Sequence, residues 1–386
     1  MSHLLASRKT YDLIITLALF AAMGALLLFP QEAISAAREG LTLSANVIIP
    51  SLFPFFVLSS LTVHLGLTRH FDRLLDPVMR PLFNVGGVCA SALVLGFVGG
   101  YPVGARTAIA LYESGSIPKK EAERLLAFSN NAGPAFILGV VGVGIFSSSR
   151  AGIFLYLAHV TASLLVGLLF RSWGGRAADT PPGPAGVRAS APPFSRAFID
   201  SVTGAVRSIL SICGFVIFFT VFIRLLILAG ILPGIAGLLG TAFTGLGLEP
   251  DQAAMLLTGL VELSSGVWGL RDGAGELPQA MAMAAFMLGW AGLSVHCQVI
   301  SFMGGSGLSV RSYLLGKLLH GVLSAGLIFL LVRLVPFDST VAVYLAEGVR
   351  DIAAMDFSTS LFHAALSAVT LGLIAALLCL LLQKKD

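Results

Sequence analysis

Long apolar stretches separated by short polar segments make up most of the chain. A helix that spans a membrane needs about 20 predominantly apolar residues. Stretches of about this length, each predicted to be a span, cover residues 11–29, 46–66, 121–146, 151–170, 209–231, 279–304, 310–333 and 359–382. The pattern therefore predicts an all-α polytopic membrane protein with about eight full spans.

Two further apolar segments, residues 87–116 and 251–270, do not fit a single crossing. The first would form a helix of about 45 Å, whereas two crossings of a hydrocarbon core of about 30 Å need about 60 Å. The run GGYPVG at residues 99–104 also interrupts this segment with residues that break helices. We therefore predict two re-entrant helical hairpins, the first of which turns at GGYPVG.

Two of the predicted spans contain interruptions of their own. Pro134 has no N–H to donate to the carbonyl of Asn130, so residues 129–134 are expected to unwind inside the span 121–146. The span 279–304 carries glycines, a hydroxyl, an imidazole and an amide in the stretch GWAGLSVHCQ at residues 289–298. Each half of the chain thus contains a span, a hairpin, an interrupted span and a span. Because three full spans is an odd number, the second half is predicted to be inverted relative to the first.

The chain is predicted to divide into five segments. A stretch rich in proline, glycine and alanine, without hydrophobic periodicity, forms a cytoplasmic linker between the two repeats. The segments are an N-terminal transmembrane helix with an outer amphipathic segment (1–43), the first repeat (44–171), the linker (172–194), the second repeat (195–333), and an outer segment with the C-terminal transmembrane helix (334–386).

Composition and charge agree with a membrane protein. The chain is 56% hydrophobic and 11% charged, with a mean hydropathy of +0.91, whereas soluble domains carry about 25% charged residues. The net charge is +4, but the basic residues stand singly near span ends, so no nucleic-acid partner is predicted. They are more frequent on the side of the N-terminus, with Lys119, Lys120, Arg311 and Lys317 among them. Both termini are therefore predicted to be cytoplasmic.

No motif indicates an enzyme or a cofactor. The phosphate-binding run GxxxxGK[ST], the metalloprotease run HExxH and the hydrolase run GxSxG are absent from the sequence. The four cysteines, Cys89, Cys213, Cys297 and Cys379, lack CxxC or CxH spacing. We therefore predict no catalytic residue, no metal site and no disulfide, and interpret the thiols as buried and inert.

The cation at Arg106 is predicted to bind an anion. It falls in the first turn of the second hairpin arm, where the helix dipole is positive, so a charge of the same sign is unfavourable by roughly 0.3 to 1 kcal/mol. An anion held between the guanidinium and the amides of Gly104 and Ala105 would reverse that sign. The alternative is that Arg106 snorkels to the inner surface or pairs with Glu113.

Glu262 is predicted to bind a coupling proton or cation. It falls near the end of the first arm of the second hairpin, where the helix dipole is negative. The alternative is a structural bond to a hydroxyl or to Arg271. His159 and His320, at the ends of apolar helices, are interpreted as structural. The predicted substrate-binding residues are Gly99, Gly100, Tyr101, Gly104, Arg106, Asn130, Asn131, Ser264, Ser265, Ser294, His296 and Gln298.

The first hairpin and interrupted span also carry a family resemblance. Residues 99–146, GGYPVGARTAIALYESGSIPKKEAERLLAFSNNAGPAFILGVVGVGIF, resemble the signature region of the YlbJ-type sporulation integral membrane proteins, which carry the nucleoside-recognition or gate domain. A weaker match, from Leu260 to about Leu331, follows the gate pattern. The resemblance implies an endospore-forming bacterium and a multi-pass protein of the mother-cell-derived outer forespore membrane. It further implies a part in moving dipicolinate inward.

These observations together predict a secondary transporter or facilitator for a small organic anion, with dipicolinate as the candidate. Its other partners would be the lipid bilayer and a coupling proton or cation. Two alternatives remain open: a non-transporting gate or assembly protein needed for spore formation, and a nucleoside transporter. Homo-oligomerisation is left open as well.

Overall fold

The computed structural model describes residues 2–65, 68–175, 193–242, 249–273 and 276–335. Within these ranges the chain is helix and short connections, with no strand. The α-helices are α1 (Ser2–Leu28), α2 (Pro30–Leu43), α3 (Ile49–His64), α4 (Thr68–Phe83), α5 (Ala90–Gly99), α6 (Val103–Glu113), α7 (Lys119–Ser129), α8 (Ser149–Leu169), α9 (Phe194–Leu228), α10 (Ile231–Ala242), α11 (Pro250–Val261), α12 (Leu263–Gly273), α13 (Leu277–Trp290), α14 (Gly292–Met303) and α15 (Val310–Leu334). Two π-helical segments (Ser44–Ile48 and Ala135–Ile145) and two short 3₁₀ segments (Gly87–Cys89 and Phe170–Ser172) join them.

Several of these helices have the length and composition of membrane spans. Four candidates in the described part are Ser149–Ser172, Phe194–Leu228, Leu277–Met303 and Val310–Leu334. Two sharply bent pairs raise the number to six if each is one span: Asp12–Leu28 with Pro30–Asn46, and Leu74–Phe83 with Gly87–Gly99. The chain is therefore a polytopic membrane protein whose described part is all-helical. The predicted C-terminal span, 359–382, lies outside the described residues, as does most of the predicted linker.

Some predicted boundaries differ from the structure. The predicted span 46–66 contains a helix of only 16 residues, Ile49–His64, with Pro54 inside it. The span predicted at 209–231 is part of the 35-residue helix α9, which begins at the end of the predicted linker. Helices α4 and α10 were not predicted, because α4 is amphipathic and α10 is shorter than a span.

The first predicted hairpin is formed by α5 and α6, which pack against each other. The chain turns at Gly100–Pro102, where Gly100 has a φ of +75°, a backbone region that suits glycine. The backbone N–H of Gly86, before α5, donates to Oε2 of Glu121, after α6, at 2.9 Å. Both ends of the hairpin therefore lie at the same end of the molecule.

The second hairpin has the same construction. Helices α11 and α12 pack together and are joined at Glu262. A Cβ built on Gly266 would lie 2.1 Å from the Cα of Gly259, so the two arms touch through glycine backbone. Gln279 Nε2, at the start of α13, donates to Gln252 Oε1, at the start of α11, at 3.0 Å. The start and the end of the second hairpin therefore also lie next to each other.

Helix α7 leads into the first interrupted span and runs parallel to α15. The backbone N–H of Ser309, just before α15, donates to Oε1 of Glu123 at 2.9 Å. Further along both helices, Lys317 Nζ donates to the carbonyl oxygen of Asn130 at 2.9 Å. Residue numbers rise together along the contact, so the two helices share a direction.

Helices α13 and α14 form the second interrupted span and run antiparallel to α15. A Cβ built on Gly289 would lie 2.5 Å from the Cα of Gly321. Seven residues later, a hydrogen bond of 3.0 Å joins His296 Nδ1 to Tyr313 Oη, earlier in α15. The order of these contacts is reversed relative to the contacts of α7, so the two interrupted spans run in opposite directions.

The two halves of the chain share their packed interior. One buried cluster combines Leu125 and Phe128 of α7 with Val295 of α14. A second combines Ile137 of the π-helical segment with Leu288 of α13. Because each cluster draws on both halves, the interior does not divide into two separate domains.

Candidate functional site

A cavity lies where the turns of both hairpins meet the interruptions of both broken spans. Its space open to water-sized groups is ≈ 60 Å³, which exceeds the roughly 10–15 Å³ that one water needs. The lining residues are Ile48, Leu52, Tyr101, Ala132, Gly133, Phe136, Ile212, Val216, Glu262, Leu263, Ser264, Ser294, Val295 and Gln298. Most of the wall is therefore apolar, with a few polar groups, as is typical of small-molecule sites.

The polar lining residues come from the elements that the sequence singles out. Tyr101 stands in the turn of the first hairpin, and Glu262 and Ser264 at the turn of the second. Ser294 and Gln298 follow the interruption between α13 and α14. The structure thus brings five of the predicted site residues to one cavity, and their binding role stays a prediction.

Glycines in the first hairpin and at the second interruption allow the hairpins and the broken spans to approach closely. A Cβ built on Gly104 would lie 1.8 Å from the carbonyl oxygen of Ser129, and one on Gly96 would lie 1.9 Å from the same atom. A Cβ on Gly100 would lie 2.9 Å from the backbone nitrogen of Gly133. In the second half, a Cβ on Gly292 would lie 2.9 Å from the backbone nitrogen of Leu263. Each hairpin turn therefore contacts the interruption in its own half.

Glu262 caps the N-terminus of α12. Its Oε1 accepts from the backbone N–H of Ser264 at 3.1 Å, and its Oε2 accepts from the backbone N–H of Ser265 at 2.6 Å. The carboxylate therefore faces the positive end of the α12 dipole, rather than the negative end of α11 that the sequence suggested. The reason is that the side chain turns forward to the next helix. Glu262 is 2% exposed, and that surface lines the cavity.

The backbone freed by Pro134 is bound by a lysine. The carbonyl oxygen of Asn130, predicted to lose its helical partner, accepts from Lys317 Nζ at 2.9 Å. Lys317 Nζ also donates to Tyr101 Oη at 3.3 Å and to His320 Nδ1 at 3.2 Å. The sequence interpretation of Lys317 as a loop charge on the inner side is wrong, because its side chain is fully buried within α15. A charged residue seven positions inside an apolar span is the signal that could have identified it.

Side chains also bond two backbone groups around the first interruption. The carbonyl oxygen of Phe128 accepts from Asn131 Nδ2 at 2.9 Å and from Ser163 Oγ at 2.7 Å. The backbone N–H of Ala132 donates to His159 Nε2 at 3.0 Å. His159 lies in the middle of α8, rather than at a helix end, and its structural interpretation stays a prediction. Asn131 bonds the interruption rather than lining the cavity.

A buried polar network continues behind the cavity. Asn130 Nδ2 lies 3.4 Å from Tyr313 Oη, which is bonded to His296 Nδ1. Within the described part, Asn130 Oδ1, Asn131 Oδ1 and His296 Nε2 are buried and make no hydrogen bond. Because buried polar atoms are nearly always paired, these atoms mark places where water or ligand is expected.

Arg106 lies away from the cavity. It is exposed, its Nη1 donates to Ser208 Oγ on α9 at 2.7 Å, and its guanidinium lies 5.9 Å from the ring centre of Phe302. Both Gly104 and Ala105 are buried, and the Ser129 carbonyl presses on Gly104. The start of α6 therefore offers no open amide site for an anion beside this guanidinium.

Comparisons with known proteins identify the family. Residues 45–172 match the family model described as Gate, nucleoside recognition. The chain is 34% identical over 318 residues to the sporulation integral membrane protein YlbJ of Bacillus subtilis (strain 168), an alignment that covers 78% of each chain. No solved structure matches the chain. The chain therefore belongs to the family of YlbJ-type sporulation integral membrane proteins.

Proposed function

We propose that this chain is a secondary transporter or facilitator that moves a small organic acid, with dipicolinate as the candidate, across the outer forespore membrane. One observation carries the proposal: two hairpin turns and two helix interruptions meet at a single cavity. Interrupted helices around a central site are the usual architecture of secondary transporters. Membership in a family of sporulation membrane proteins supports the setting.

The proposed architecture is two inverted repeats with about eight full spans and two re-entrant hairpins, with both termini in the cytoplasm. The opposite directions of the two interrupted spans support the inversion. The matching construction of the two hairpins supports the repeat. Movement of one half against the other would open the cavity to each side in turn.

Ser264, Ser294 and Gln298 would bond the ligand, and the apolar wall would contact its ring. Glu262 would hold the coupling proton. Two carboxylates in one buried site do not both stay ionised, so a carboxylate ligand beside Glu262 brings a proton with it. This gives Glu262 a role in coupling while it also caps α12.

A nucleoside is the second candidate substrate. None of the residues that line the cavity is a cation, and a neutral ligand rich in hydroxyl groups would bond Ser294, Gln298 and Glu262 without a charge partner. The matched family model is described by nucleoside recognition. A non-transporting gate or assembly protein remains the rival from a different class.

Uptake into liposomes tests the proposal. Purified protein is reconstituted and entry of labelled dipicolinate is measured for wild type, Ser294→Ala and Ser301→Ala. Both serines lie on α14, but Ser294 lines the cavity whereas Ser301 is exposed and bonds the carbonyl of Gln298 in its own helix. Loss of one ligand hydrogen bond should raise the KM of Ser294→Ala about two- to tenfold, and Ser301→Ala should behave as wild type.

Three results would decide against parts of the proposal. Wild-type uptake no greater than that of empty vesicles would favour the gate or assembly protein. Binding of uridine by wild type, without binding of dipicolinate, would favour the nucleoside transporter. Loss of uptake in Arg106→Gln but not in Ser294→Ala would move the anion site from the cavity to the start of α6.

A further inference from the structure

The buried amine of Lys317 stands where interrupted transporter helices bind a coupling cation. In such helices, carbonyls freed by the unwound backbone commonly coordinate a sodium ion. Here the freed carbonyl is that of Asn130, and it accepts from Lys317 Nζ at 2.9 Å. The amine comes from α15, the helix that both interrupted spans pack against.

The hydrogen-bond partners of Lys317 match those that a charged amine needs. Tyr101 Oη donates its proton to the carbonyl oxygen of Leu288, so toward Lys317 it acts as an acceptor. His320 Nε2 bonds the carbonyl oxygen of His159 at 2.9 Å. A carbonyl only accepts, so a neutral imidazole carries its proton on Nε2, and its Nδ1 then accepts from Lys317. With the Asn130 carbonyl, Nζ has three acceptors around it, which matches the three donors of an ammonium.

No carboxylate pairs with this amine in the part of the chain that the structure describes. A buried cation is costly unless polar groups surround it, and it is found in spans mainly at functional sites. Asn130, Tyr101 and His320 supply those groups from the first interruption, the first hairpin turn and α15. Lys317 therefore joins the three elements at a point directly behind the cavity wall formed by Tyr101.

We propose that the Lys317 ammonium is a tethered replacement for a coupling metal cation at the first interruption, so that this chain works without sodium. The inference rests on the proposed transport function for its uptake readout, but not for its stability readout. The ammonium holds the first hairpin turn against the interruption, as a bound metal ion would. It also places a fixed positive charge next to Tyr101, which lines the cavity in which an organic acid would bind.

Replacing Lys317 tests the proposal on purified protein in detergent. Thermal unfolding of wild type, Lys317→Ala, Lys317→Met and Arg311→Ala is compared in sodium chloride, choline chloride and propylammonium chloride at equal ionic strength. Arg311 is exposed on the same helix and serves as the control. Wild type and Arg311→Ala should unfold at the same temperature in all three salts. Lys317→Ala should unfold earlier in choline chloride and recover in sodium or propylammonium chloride, which reach the vacated oxygen and nitrogen ligands.

Uptake provides the second readout. Wild-type uptake of dipicolinate should be equal in sodium and choline buffers, and Lys317→Met, of similar length but uncharged, should reduce it by about tenfold or more. Sodium-dependent stability or uptake of wild type would overturn the proposal. Wild-type stability and uptake in Lys317→Met would overturn it as well. If wild type moves no dipicolinate in either buffer, the proposed substrate fails, whereas the salt dependence of unfolding still decides the role of Lys317.

Discussion

Single atoms decide how closely the hairpins approach the broken spans. The carbonyl oxygen of Ser129 lies between Gly96 and Gly104, where any side chain would overlap it. That carbonyl belongs to backbone at the end of α7, so it cannot rotate away as a side chain would. The first hairpin can therefore pack this closely only because Gly96 and Gly104 have no side chain.

Gly104→Ala should destabilise the protein strongly, by about 2 kcal/mol or more, because overpacking against fixed backbone forces the hairpin outward. Gly214→Ala is the matched control, since a Cβ there meets nothing within 4 Å. In the middle of α9 that change should be neutral, or stabilising by about 0.5–1 kcal/mol. Thermal unfolding of both variants in detergent measures the difference. Equal unfolding temperatures would show that the hairpin is not held at this contact.

Among single residues, the sequence identifies those that lie next to a break in a helix. Tyr101, Glu262 and Ser294 were predicted because they adjoin helix interruptions, and all three line the cavity. Lys317 was missed because the sequence alone does not distinguish a charge at the end of a span from a charge buried inside it. Its position became evident only when α15 was placed beside Asn130.

Arg124 ties several elements together at the end of the molecule where the first hairpin begins and ends. It is fully buried. Its Nε donates to the carbonyl oxygen of Trp173 at 2.8 Å, and its Nη atoms donate to the carbonyls of Asn84 and Gly175. The planar guanidinium thus connects the segment before α5, the helix α7 and the end of α8.

Arg124→Lys should therefore lower stability by about 1–3 kcal/mol, because an ammonium cannot reproduce the fork and leaves buried carbonyls unpaired. Arg80→Lys is the control, since Arg80 makes an exposed ion pair with Asp76 on α4. Exposed pairs of this kind contribute about 0–1 kcal/mol. Urea or thermal unfolding compares the two variants. A loss in Arg80→Lys as large as that in Arg124→Lys would contradict the assigned role.

Glu262 gives α12 its start as well as lining the cavity. Glu262→Gln retains one acceptor oxygen and loses the other, so the stability should fall by about 1 kcal/mol. Glu276→Gln is the control, because Glu276 precedes α13 without any side-chain cap bond and is exposed. If Glu262 also carries the coupling proton, dipicolinate uptake by wild type should increase as the outside pH falls, and uptake by Glu262→Gln should not. A variant with wild-type stability and wild-type pH dependence would remove both roles.

The sequence predicted the existence of the hairpins and interruptions because glycine and proline act locally on backbone. It predicted helix lengths less well. Helix α9 spans 35 residues from Phe194, whereas the apolar run predicted a span only from residue 209. Helix α4 is amphipathic, and its polar residues interrupt any long apolar stretch, so it was not predicted as a span.

The direction of each hairpin in the membrane is a property of the whole molecule. Length and hydropathy alone allow four to six spans in the described part, and one span more or less reverses every later loop. Contacts within the protein restrict the choice, because Gly86 bonds Glu121 and Gln252 bonds Gln279 across the ends of the hairpins. These bonds return each hairpin to the end at which it began, whichever side of the membrane that is.

Cysteine labelling with a membrane-impermeant maleimide would assign those sides. Single cysteines are introduced at Arg80, Ser114, Asp251 and Arg271, all exposed, after replacement of the native cysteines. Arg80→Cys and Ser114→Cys flank the first hairpin and should react only from the cytoplasmic side. Asp251→Cys and Arg271→Cys flank the second hairpin and should react only from the opposite side, because the two interrupted spans run in opposite directions.

Each result bears on a separate part of the architecture. Labelling of Arg80→Cys and Ser114→Cys from different sides would mean that residues 87–116 cross the membrane fully, so the first hairpin would not be re-entrant. Labelling of all four positions from one side would keep both hairpins but reject the inversion of the repeats. The inversion matters for mechanism because alternating access requires two halves that open toward opposite faces around the same cavity. Labelling at these four positions therefore tests whether the geometry around Tyr101 and Glu262 is compatible with transport.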